Sequence, residues 1–203
     1  MKRLITLCLL GGCFLSAPAQ NYVSQAWVAD QGNGTYKNPV LYADYSDPDI
    51  CRVGNDYYLT SSSFNCLPGL QILHSKDLVN WEYLGGTMKN LPEWVVPKLN
   101  EIRKEMGLAE INPNVNDFGY WAPVVRKVKN GLYRMYYSIV CPGTLNGANT
   151  WSERAFIGLM ENNDPSNNDG WVDKGYVITN ASDKGLNFNV KPDDWANCYY
   201  KWN

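Results

Sequence analysis

The chain has 203 residues, with 18 Lys and Arg against 20 Asp and Glu and a formal net charge of −2. No basic block or stripe accompanies that balance, which argues against nucleic acid as a partner, because phosphate backbones are bound through clustered Lys and Arg. Eight Trp, 14 Tyr and five Phe make it rich in aromatics, which suits β structure and equally suits stacking against the apolar faces of sugar rings.

Residues 1–19 read as a signal peptide. Lys2 and Arg3 form a positive start, Ile5 to Leu15 is an apolar run, and Ala17-Pro18-Ala19 is a small-x-small cleavage site before Gln20. The run is shorter than the roughly 20 apolar residues a bilayer span needs. Leu10-Gly11-Gly12-Cys13 offers an alternative lipoprotein reading, with acylation at Cys13. Both readings export the protein, as a periplasmic or secreted species, and no later segment is apolar enough to be transmembrane. Residues 20–35 form an N-terminal lead-in.

Beyond the lead-in the chain repeats itself. Residues 48–58 (PDICRVGNDYY) and 123–133 (PVVRKVKNGLY) share an order of short strand, polar turn and returning aromatic strand. Turns such as Asn-Asp and Asn-Gly between apolar runs predict β-hairpins. A third strand follows each hairpin, Leu70–Ser75 and then Ala155–Met160. A Trp-led fourth strand follows in turn, Trp81–Gly85 and then Trp171–Gly175. Two four-stranded antiparallel units at long period predict blades of an all-β propeller, with a β-sandwich as the competing fold.

Blade one is expected over about 47–85, an insertion over 86–119, and blade two over about 120–175. The insertion carries a predicted short helix around Lys98–Met106, with Leu99, Ile102 and Met106 on one face. Residues 176–203 read as the lead into a third blade. Because blades bury their faces against neighbours, two cannot close a propeller, and the chain reads as an incomplete one.

Outside the leader, Cys51, Cys66, Cys141 and Cys198 remain. Four cysteines allow three pairings, which stay open, and their spacing matches no metal site. The single histidine, His74, sits beside Ser75-Lys76-Asp77 and reads as a structural hydrogen-bonding residue.

Innermost propeller strands begin at one end of a central channel. The residue before Pro48 is Asp47, and the equivalent residue before Pro123 is Ala122. Blade one therefore aims a carboxylate at the axis, near Phe64 and Tyr120-Trp121. An acid beside stacking aromatics fits glycosidic chemistry, while Asp before Pro also commonly opens a turn.

Several motifs in order resemble glycoside hydrolase family 43: Asn38-Pro39-Val40-Leu41, Ser46-Asp47-Pro48-Asp49-Ile50, Asp56-Tyr57-Tyr58, Ser61-Ser62-Ser63-Phe64, Pro68-Gly69, His74 to Trp81, and Tyr120-Trp121-Ala122-Pro123. The resemblance covers roughly residues 36–175. It implies a five-bladed β-propeller, an inverting mechanism, and xylose- or arabinose-containing plant cell-wall oligo- or polysaccharides as substrates. By the same resemblance Asp47 is the general base, and Phe64, Trp121 and Ala122 bind substrate. The family's pKa-tuning Asp and its general-acid Glu fall in later blades. Trp202-Asn203 resembles the residues just before that second Asp, and no residue here takes either role.

Val124 departs from an acid often found after the Trp-Ala-Pro motif. A structural calcium is implied for a full-length member, while no metal or other cofactor is assignable to this chain. The segment from Phe64 through Asp77 leans toward β-xylosidase or α-L-arabinofuranosidase members. An endo-1,5-α-L-arabinanase and a non-catalytic carbohydrate-binding propeller are the alternatives, and the oligomeric state is open.

Overall fold

The first hairpin closes where Gly54-Asn55 interrupts two β-prone runs. β1 (Asp49–Val53) pairs antiparallel with β2 (Asp56–Thr60), Val53 facing Asp56 across a two-residue turn. Gly54 has φ of +64°, and a glycine first in such a turn gives the twist that two right-twisted strands require. β3 (Gly69–Ser75) and β4 (Glu82–Met88) complete a sheet in the order β1-β2-β3-β4. The pattern then recurs as β5 (Gly119–Lys127), β6 (Tyr133–Cys141), β7 (Arg154–Asn162) and β8 (Val172–Thr179), again antiparallel in sequence order. This computed structural model describes residues 27–105, 107–142 and 154–179. The expected leader with Cys13, the Met106 position, Cys198 and the segment from residue 180 to Asn203 lie outside the described residues.

Both sheets run past the strand ends expected from sequence, and in both cases a glycine is the reason. Gly85-Gly86 reads as a stop, yet β4 continues to Met88, which faces Gly69 and is fully buried. Gly85 takes φ of +133°, and a Cβ there would lie 2.7 Å from the Asn168 side-chain nitrogen. A Cβ on Gly86 would lie 2.6 Å from the Pro68 carbonyl oxygen. Close backbone approach, with a register shift between Ile72 and Leu73, therefore replaces termination. Gly175 behaves alike. With φ of +89° it sits in a register shift between the Met160–Asp173 and Gly158–Tyr176 pairs, so residues 176–179 belong to β8 rather than to a lead into a third blade.

The two sheets bury one core between them. Cys51, Tyr58, Ile72 and Met88 from the first sheet join Val125, Met135, Ile139 and Phe156 from the second. The insertion closes this core with α1 (Val95–Glu105), whose Val95, Leu99 and Ile102 are buried in the same cluster. Arg103 and Lys104 occupy its last turn, where positive charge meets the negative end of the helix dipole. Gly107, at φ +73°, then caps it: its N–H donates to the Lys104 carbonyl and the Leu108 N–H to the Arg103 carbonyl, the paired closure that suits glycine after a helix.

Specific polar contacts also join the sheets. Asp49 Oδ2 of β1 accepts from the Val125 N–H at 2.8 Å and from Arg126 Nη1 at 2.6 Å, both on β5. Asn168 Nδ2 donates to the Gly86 carbonyl at 2.9 Å. Among the described residues Cys51, Cys66 and Cys141 are free thiols; the first and last are buried and Cys66 is exposed. His74 shares a 2.7 Å hydrogen bond with Asp56 Oδ1, the structural role its neighbours suggest.

Candidate active site

The site is assembled where β1 and β5 begin, around the segment that leaves β2. This segment, Ser61-Ser62-Ser63, is buried although wholly polar, so each hydroxyl needs a partner. Ser61 Oγ accepts from Gln71 Nε2 at 2.7 Å, and Ser63 Oγ accepts from the Leu70 N–H at 3.0 Å. Ser62 Oγ donates to Asp47 Oδ2 at 2.7 Å and accepts from the Ala122 N–H at 2.7 Å. Its own N–H donates to the Ser46 carbonyl. One hydroxyl thus ties the start of blade one to the start of blade two.

Backbone bonds then fix the aromatics. Tyr120 N–H donates to the Phe64 carbonyl at 2.6 Å and Ser63 N–H to the Tyr120 carbonyl at 3.0 Å, an isolated antiparallel bridge between Phe64 and Tyr120. Phe64 is left 41 % exposed, while the Tyr120 ring is buried and its hydroxyl donates to the Val115 carbonyl. Burial pushes that hydroxyl up to about 12, so Tyr120 is a neutral support. Trp121 is half-buried, and its indole folds back over Gly119: a Cβ on that glycine would lie 2.6 Å from Nε1.

Asp47, Phe64 and Ala122 share a further property. Each has a positive φ, at +50°, +51° and +44°, and they are half of the six non-glycine residues in that region among the described residues. Such conformations cost on the order of 1–3 kcal/mol each and tend to gather at functional sites. Here they hold three exposed side chains: Asp47 just before β1, Phe64 in the segment that leaves β2, and Ala122 within the first half of β5.

The structure therefore brings together all four residues singled out from sequence, through Ser62 and the Phe64–Tyr120 bridge. A cleft of about 610 Å³ lined by Asn38, Pro39, Leu41, Tyr45, Pro48 and Leu59 starts at the neighbour of Asp47 and contains none of the four. Among the described residues no group of three His, Cys, Asp or Glu side chains could hold a metal ion. Sequence reasoning missed two contributors. Ser62 lies in the Ser61-Ser62-Ser63-Phe64 motif with nothing local to give it a role, and Gly119 carries no motif of its own; a run of three serines after an apolar strand is the available signal for the first.

Two consecutive four-stranded antiparallel sheets, the repeating unit of a β-propeller, carry an acid just before the first strand of one and aromatics beside the first strand of the other. The chain matches the glycosyl hydrolases family 43 over residues 36–203, and it belongs to that family. A β-xylosidase of Formosa agariphila is 44% identical over 93 residues, covering 46% of this chain and 14% of that protein. A xylosidase/arabinosidase of Butyrivibrio fibrisolvens is 32% identical over 170 residues, covering 78% of this chain. Among solved structures, the Cellvibrio cellulosa α-L-arabinanase complexed with arabinohexaose is 28% identical over 68% of this chain, with a TM-score of 0.44. The chain spans 29% of the length of the Butyrivibrio protein and 36% of the arabinanase chain.

Proposed function

We propose that this chain is the part of an exported, inverting glycoside hydrolase that carries the general base, acting on xylose- or arabinose-containing plant oligo- or polysaccharides as a β-xylosidase or α-L-arabinofuranosidase. One observation supports this above the others: an exposed carboxylate, Asp47, is held by a buried hydroxyl at the start of β1 and joined through it to Ala122. The names of the curated relatives support the substrate class.

In inversion a carboxylate takes a proton from water on one face of the sugar while an acid protonates the leaving oxygen on the other, the two standing about 6.5–9.5 Å apart. Asp47 would activate the water, and Phe64, Trp121 and Ala122 would line the sugar's place. By the family resemblance the opposing acid lies in later blades, and none of these 203 residues is assigned that role. Each of the two groups contributes on the order of 10²–10⁴-fold, so the 203-residue chain assayed alone is expected to be nearly inactive.

The test uses the longest natural polypeptide that carries this chain, screened on aryl β-xyloside, aryl α-L-arabinofuranoside and linear arabinan. Release of pentose whose first-formed anomer is inverted, read by proton NMR, supports the reading; cleavage of arabinan within its chain would assign the endo-arabinanase alternative. Glycan binding without hydrolysis would replace the enzyme reading with a carbohydrate-binding one.

A further inference from the structure

We infer that Ser62 is the positioning residue for the proposed base, setting the orientation of the Asp47 carboxylate and linking it to the start of blade two. The inference rests on the reading of Asp47 given above and goes one residue beyond it. Ser62 is 1 % exposed, so its hydroxyl has no bulk water to turn to. The Ala122 N–H can only donate, and it occupies a lone pair of Ser62 Oγ at 2.7 Å. A hydroxyl has one proton, and the acceptor left for it is Asp47 Oδ2, also at 2.7 Å.

The direction of the hydrogen bond is thereby fixed by chemistry. Ser62 presents a donor to the carboxylate, which when ionised has no proton to offer in return. Among the described residues Asp47 forms no other side-chain hydrogen bond, so Oδ2 is pinned and Oδ1 is the oxygen left to face a nucleophilic water. Ser62 itself is held by its N–H bond to the Ser46 carbonyl at 2.9 Å, one residue before Asp47, and by flanking serines bound to Gln71 and Leu70.

The same hydroxyl senses blade two. Ala122 sits in a register shift between Trp121 and Val124 on β5, with φ of +44°. Its N–H points out of the sheet pairing and into blade one. A displacement of β5 relative to β1 is therefore transmitted to the carboxylate through two short hydrogen bonds. Placing a reacting group wrongly by about 1 Å can cost on the order of 10²-fold in rate.

The experiment is done in the longest natural polypeptide carrying the chain, on the aryl glycoside it cleaves. Ser62→Ala is expected to lower kcat about 10- to 100-fold with KM unchanged, and Ser62→Thr, which keeps the hydroxyl, to restore most of it. Asp47→Asn serves as the reference, with a loss of about 10²–10⁴-fold. A crystal structure of Ser62→Ala should show the Asp47 carboxylate rotated away from its place with the Phe64–Tyr120 bridge intact. Full kcat in Ser62→Ala, an equal loss in Ser62→Thr with its fold intact, or an unmoved carboxylate in the crystal overturns the inference. Full activity in Asp47→Asn instead overturns the base assignment, and the crystal then still decides whether Ser62 orients the side chain.

Discussion

Replacing Gly158 with alanine should destabilise the protein, against the usual sign for glycine in a strand. Alanine normally gains about 0.4–1 kcal/mol over glycine by narrowing the unfolded ensemble, where the native backbone tolerates it. Gly158 has no positive φ to forbid alanine. The obstacle is Tyr137, directly across the β6–β7 pairing. A Cβ at 158 would lie 2.4 Å from its Cζ, 2.5 Å from its hydroxyl and 2.6 Å from Cε2. Ordinary contact is about 1 Å longer, and the ring has nowhere to go: it is 1% exposed, and its hydroxyl bonds Asp173 Oδ1 at 3.2 Å. Overpacking of this kind costs about 1–3 kcal/mol, more than the unfolded-state gain. Urea denaturation of Gly158→Ala, Tyr137→Val and the double variant forms a cycle. The penalty should disappear in the Tyr137→Val background, a coupling of about 1–2 kcal/mol between residues in contact. A neutral or stabilising Gly158→Ala, or the same penalty in both backgrounds, would refute the packing argument.

Other outcomes follow from the same structure. Asp49→Ala strips the buried Val125 N–H of its acceptor along with the Arg126 contact, and should cost about 2–3 kcal/mol in urea midpoint experiments, with Asp49→Asn closer to 1. Gly119→Ala forces the Trp121 indole off its own strand and should raise the KM of the active polypeptide about 3- to 10-fold, the loss of about 1 kcal/mol of aromatic contact. The Asp77 carboxyl is held down to about 2, chiefly by the Asn80 side chain and then by the Asn80 and Val79 N–H groups. Its folded value lies below the unfolded one, so the stability it contributes is complete above about pH 4 and fades as pH falls toward 2. Carbon-detected NMR titration should find that low midpoint, and Asn80→Ala should move it upward.

The blade pattern was legible because it rests on short-range signals. Gly54-Asn55 and Asn130-Gly131 mark the turns between β-prone, aromatic-rich runs. Asp47 could be read from its place before Pro48, and Ala122 from the matching place before Pro123. What escaped depends on partners distant in sequence. Gly85 and Gly175 look like breaks, and only the packing of Asn168 against the one and the β7 register beside the other show them to be bulges. Nothing local in Ser61-Ser62-Ser63 says that the middle hydroxyl serves a carboxylate 15 residues earlier and an amide 60 residues later. Positive φ at Asp47, Phe64 and Ala122 is hidden for the same reason, because tertiary bonds rather than residue type impose it.

The central claim is that the Asp47 carboxylate performs base chemistry, and its most direct test removes the charge and nothing else. Asp47→Asn keeps an acceptor for Ser62 and nearly the same volume. In the longest natural polypeptide carrying this chain, kcat on the preferred aryl pentoside should fall about 10²–10⁴-fold with the fold and KM preserved. Turnover within a few-fold of the unsubstituted enzyme, in a protein shown to be folded, would contradict it.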